Sequence, residues 1–76
     1  MFYAAYIEEW YGEKFLAGVL RIKENENLVA KLAEPVGYLK DQRKIVAANL
    51  CKTKKAAYEL AEAWNESFDK NGTAVY

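Results

Sequence analysis

Histidine is absent from this 76-residue chain, and cysteine, proline and methionine each occur once. Without histidine, no side chain has an ordinary pKa that suits a general base near neutral pH. A single thiol excludes an internal disulfide, and a Cys/His zinc site has no ligand set to draw on. Cys51 has no imidazole to activate it and lies in the apolar run RKIVAANLC. It reads as a small hydrophobe rather than a nucleophile. The four glycines never fall in the spacing of a phosphate-binding loop. No uncharged apolar run approaches the roughly 18 residues that cross a bilayer. Glu8 and Glu9 interrupt the N-terminus before any signal-like stretch can form. The expectation is a soluble cytoplasmic protein, residues 1–76 forming one domain, non-enzymatic, with no catalytic residue, cofactor or metal.

What the chain does have is apolar material, 53% of its residues, and an uneven charge. A domain this small buries only about 60% of the surface its unfolded chain exposes, so tight packing or self-association must supply its stability. Formal charge is zero overall, yet the middle of the chain is strongly basic. Residues 35–55 carry Lys40, Arg43, Lys44, Lys52, Lys54 and Lys55 against Asp41 alone. Acidic residues outnumber basic ones on both sides of that segment.

The periodicity predicts an α+β fold, a curved antiparallel sheet of three to four strands packed on one C-terminal helix. Ala57, Leu60, Ala61, Trp64 and Phe68 recur at the spacing of a single helical stripe, which predicts a helix over 54–70. Thr53 suits its N-cap, Asn71-Gly72 its stop, and Trp64 is the expected anchor. The aromatic and β-branched opening, punctuated by Gly12 and Gly18, predicts a hairpin of strands 2–11 and 14–23. A two-residue type II′ loop on Gly12-Glu13 would pair residues whose numbers sum to 25. Residues 44–51 make a third strand. Asn27 could cap a short helix ended by Pro35, a strand there being nearly as good, and VGYL could supply a fourth strand turning through KDQR.

The 25-sum register sorts the side chains. Tyr3, Ala5, Ile7 and Glu9 would share a face with Leu16, Gly18, Leu20 and Ile22 and receive the helix. Phe2, Tyr6, Trp10, Phe15 and Val19 would then form an aromatic patch on the other face. Three fates are open to such a patch: cover by residues 24–39, a homodimer or partner interface, or base stacking. A second candidate is the strand–helix junction CKTKKAAYEL. Lys52, Lys54 and Lys55 oppose the helix dipole there, Thr53 adds a hydroxyl, and Lys40, Arg43 and Lys44 join if their strand end is near. Solvated lysines are the plain reading; an acidic protein surface or a phosphate backbone is the functional one.

The string TKKAAYELAEAWNESFDKNGT, residues 53–73, resembles the endings of small accessory proteins of bacterial phages and mobile elements. That resemblance implies a setting of inhibitors and adaptors and carries no functional residue with it. The combined expectation is a binding protein, homodimeric through the aromatic face, with the lysines facing an acidic partner. The alternative is a nucleic-acid binder that stacks bases on Tyr6, Trp10 and Phe15 and tracks phosphates with Arg21, Lys23 and the central lysines.

Overall fold

The computed structural model describes residues 2–23, 27 and 43–75. The expected elements within 24–26 and 28–42, Lys40 among them, lie outside the described residues. The rest forms the expected α+β arrangement. Strands β1 (Phe2–Trp10), β2 (Lys14–Ile22) and β3 (Arg43–Cys51) form an antiparallel sheet in the order β2-β1-β3, and helix α1 (Lys54–Lys70) packs on it.

The hairpin turn differs from the expected one, and the register follows it. Tyr11 and Gly12 both have positive φ, 55° and 75°, and the Glu13 amide donates to the Trp10 carbonyl at 3.1 Å. Paired positive φ angles belong to a type I′ turn, one residue earlier than the type II′ loop read from Gly12-Glu13. Glu13 stays in the loop as a third residue, so pairing starts at Trp10 opposite Lys14 and ends at Phe2 opposite Ile22, and partners sum to 24, not 25. Since side chains alternate between faces, this shift exchanges every β2 side chain relative to β1.

The face toward α1 therefore holds Tyr3, Ala5, Ile7 and Glu9 with Phe15, Ala17, Val19 and Arg21. The rings of Phe15 and Phe68 lie 5.3 Å apart. Ala5 and Ala17 on the sheet and Ala57 and Ala61 on the helix are all buried, and such small side chains let the two layers lie close. The expected anchor, Trp64, is only half-buried. The other face holds Phe2, Ala4, Tyr6, Glu8 and Trp10 with Leu16, Gly18, Leu20 and Ile22. Tyr6 stands opposite Gly18 and fills the space above it, so a methyl group there would come within 2.7 Å of the Tyr6 hydroxyl oxygen.

The helix ends as its local sequence predicts. Thr53 Oγ1 accepts from the Ala56 amide at 3.2 Å, satisfying one of the free N–H groups of the first turn. At the other end Gly72 takes φ 70°, its amide donates to Asp69 and that of Thr73 donates to Phe68, the paired bonds of a Schellman cap. The chain then runs back along β2. The Phe15 amide donates to the Thr73 carbonyl at 2.7 Å, and the Val75 amide donates to the Phe15 carbonyl at 3.2 Å.

One turn up the helix, Asn65 treats Ala17 in the same way. Its Oδ1 accepts from the Ala17 amide at 2.8 Å, and its Nδ2 donates to the Ala17 carbonyl at 3.1 Å. An amide side chain thus mimics a neighbouring strand, and the outer edge of β2 is closed at Phe15 and Ala17. Replacing Asn65 by Ala leaves a half-buried amide and carbonyl unmatched and is expected to cost about 1–3 kcal/mol. Urea unfolding should show this as a lower midpoint at unchanged slope. A loss below the error of the method would remove Asn65 as the edge lock.

Candidate interaction surfaces

The register divides the expected aromatic patch. Phe2, Tyr6 and Trp10 share one face, while Phe15 and Val19 sit on the helix side. Tyr6 and Trp10 are half-buried, and Phe2 is the exposed member. Around them Ala4, Glu8 and Ile22 are buried, so this face is withdrawn from solvent along much of its length. The five residues grouped from the sequence do not form one platform, because the loop holds three residues, Tyr11, Gly12 and Glu13, where two were expected.

Among the described residues Glu8 is the largest side chain to be fully buried, at 2% exposure. Trp10 Nε1–H donates to its Oε2 at 3.3 Å, from the same face two residues along the strand. A charged side chain at an alternating strand position gave no local sign of burial; its spacing from Trp10 was the available clue. Glu9 points the other way and meets Lys44 across β3, Nζ to Oε1 at 3.6 Å. The two carboxylates occupy opposite faces and cannot work as a pair.

At the basic junction, Lys52, Lys54 and Lys55 are exposed around the Thr53 cap. Lys54 Nζ lies 5.8 Å from the centroid of the Tyr58 ring, and Lys55 stands 3.9 Å from Glu59. Lys44 does not join them. It lies eight residues from Lys52 along an extended strand, roughly 26 Å at 3.3 Å per residue. Arg43 pairs with Trp10 beside it, at that same distant end. What the fold does bring to the junction is Arg21. With Lys54, Tyr3, Tyr58 and Val19 it lines a groove of about 260 Å³ between the end of β2 and the start of α1. A second groove, about 240 Å³, lies where the chain end meets β2, among Phe15, Leu16, Asn65, Asp69, Ala74 and Val75.

The apolar run expected as a third strand is exposed over most of its length. β3 pairs with β1 from Tyr3 opposite Cys51 to Trp10 opposite Arg43, with a bulge opposite the Ile7–Glu8 step that leaves Val46 as the extra residue. Residues 46–50 are all exposed, Val46 at 46% and Leu50 at 51%. Consecutive residues of a strand point to opposite faces, so an unbroken exposed run means that neither face is covered there. Among the described residues no strand pairs with the far side of β3. The alternation of antiparallel bonding fixes which groups face out. Phe15 and Ala17 bond away from β1, so their neighbours bond toward it, and even-numbered β1 residues bond to β2. Odd-numbered β1 residues therefore bond to Ala47, Asn49 and Cys51, leaving the amides and carbonyls of Ala48 and Leu50 directed outward.

Among the described residues no helix is long and apolar enough to cross a membrane. No protein-family model matches the sequence, and no curated protein or solved structure matches it either.

Trp10 now has a structural duty that an interface residue would not have. Trp10→Phe keeps an aromatic ring but removes the donor to a buried carboxylate, and is expected to cost about 1–3 kcal/mol of stability. Thermal unfolding followed by circular dichroism measures it. An unchanged midpoint would return Trp10 to the list of residues free to serve a partner.

Proposed function

We propose that this chain is a non-enzymatic binding domain that recognises another protein along the edge of β3, which no described strand pairs, with the lysines of the β3–α1 junction supplying electrostatic attraction. One observation carries the reading: residues 46–50 are exposed without a break, on a strand whose sequence there is wholly uncharged. A free edge offers a partner a ready row of amide and carbonyl groups, and strand addition converts that row into main-chain hydrogen bonds. An exposed, unpaired apolar strand is otherwise a hazard that small domains avoid. The inhibitor or adaptor role implied by the resemblance of residues 53–73 to phage accessory proteins is compatible with such a contact.

The nucleic-acid reading loses support from the same geometry. Its three stacking residues, Tyr6, Trp10 and Phe15, lie on two faces, the first two half-buried and Phe15 packed on Phe68. Homodimerisation through the aromatic face is weakened in the same way.

Ala48→Pro tests the proposal. Proline is tolerated on an edge strand where its missing N–H would have faced solvent, so the fold should survive while strand addition is blocked. In the free wild-type domain, the amides of Ala48 and Leu50 should exchange with deuterium faster than those of Ala47 and Asn49, which bond to β1. Proteins captured by the wild type and lost by a folded Ala48→Pro variant would support edge recognition. Equal capture by both, or strong protection of Ala48 and Leu50 in the free domain, would overturn it.

A further inference from the structure

We infer that the occupant of the β3 edge is a short extended segment of another protein, apolar over about five residues and acidic at the end that lies beside Lys52 and Lys55, and is not a second copy of this chain. The inference rests on the proposed role of the edge and specifies its partner. From Arg43 to Tyr58 the sequence contains no acidic residue. Ile45–Cys51 is uncharged, and Lys52, Lys54 and Lys55 follow directly. A strand laid along β3 therefore runs from neutral surroundings into a field of lysines. At the far end the charge is partly answered within the domain, because Lys44 stands 3.6 Å from Glu9. At the Lys52 end three lysines stand together against one ion pair, Lys55 with Glu59 at 3.9 Å with both side chains exposed, so the charge left over among the described residues is greater there. Like charges directly opposite one another destabilise a strand pair, whereas opposite charges stabilise it and speed encounter.

Self-pairing meets two obstacles that a foreign segment avoids. Two copies of β3 related by a two-fold axis through Ala48 would place Lys44 of each opposite Lys52 of the other, with no acid in either strand. They would also place the Val46 bulge of each copy opposite Leu50 of the other, interrupting the new ladder twice. Registers displaced from that centre escape the charges only by shortening the overlap. A foreign segment can pair with 47–51 alone, clear of the bulge, and present its acids to the lysines beyond.

The test uses the full chain and labelled synthetic peptides followed by fluorescence anisotropy. One peptide joins a short alternating Thr/Val core to a run of glutamates, a second has lysines in their place, and a third has the glutamates on a Gly/Ser core. Each is made with the charged run at either end, since parallel and antiparallel addition both fit the edge. The glutamate peptide with the Thr/Val core is expected to bind at least about tenfold more tightly than either control, a difference of about 1.4 kcal/mol. Its binding should be lost in Ala48→Pro, and the double charge reversal Lys52→Glu, Lys55→Glu should shift the preference to the lysine peptide. Equal binding of the glutamate and lysine peptides, still abolished by Ala48→Pro, would overturn the acidic partner while leaving the edge in use. Binding of the Gly/Ser peptide that survives Ala48→Pro would reduce the site to charge attraction and overturn both readings. A dimer in sedimentation that Ala48→Pro dissolves, with no peptide bound, would make a second copy the occupant and overturn this inference alone.

Discussion

The three-residue loop Tyr11-Gly12-Glu13, with positive φ at its first two positions, governs what every residue of the sheet can touch. A non-glycine residue at positive φ carries a penalty of about 1–2 kcal/mol, and Tyr11 bears it in the open, with its ring edge-on to Trp10 at 6.5 Å. What that strain secures is the pairing of Trp10 with Lys14, and through it the delivery of Phe15, Ala17 and Val19 to the helix side. Shorten the loop by one residue and Leu16 and Leu20 would face α1 instead. Phe15 would lose Phe68, and Tyr6 would lose the glycine beneath it.

From that register follows a marked inequality between the two edges of the sheet. The β2 edge is closed by Asn65, by the backbone of Thr73 and Val75, and by Lys14, whose Nζ donates to the Gly72 carbonyl at 2.8 Å. All but the Asn65 bonds depend on where the helix stops. The Schellman cap at Asn71-Gly72 turns the chain back toward Phe15, so helix-end chemistry becomes sheet-edge chemistry. The helix packs more over β2 and β1 than over β3, and among the described residues no element covers the far strand on the face that holds Ala47 and Asn49.

Local signals were legible in the sequence, and relations between distant segments were not. The helix over Lys54–Lys70, its Thr53 cap and its Gly72 stop are each written within a few residues, and the structure has them in place. The hairpin was legible as a hairpin. Its register was not, because Ala4-Ala5 and Leu16-Ala17 put apolar side chains on both faces, and the alternation that would choose between 24 and 25 is blurred. Asn65 holds Ala17 from 48 positions away and looks like an ordinary polar helix residue. Glu8 and β3 fail in opposite directions. A carboxylate is buried and an apolar strand is exposed, since hydropathy reports what a segment can bury and not whether the fold brings anything to cover it.

The devices that natural sheets use against unwanted pairing are present on β3, but they are placed at its ends. Lysine and a bulge stand before Ala47, and lysines follow Cys51. A strand guarded only against indiscriminate addition would serve better with a charge at Ala48 or Leu50, where the exposed groups lie, and a charge there would cost the fold little because neither side chain is buried. The uncharged centre is therefore not required by the packing of the domain. Under the proposed edge recognition, flanking charges that oppose a second copy around an uncharged centre would act as selection among partners, which depends on repulsion as much as on attraction.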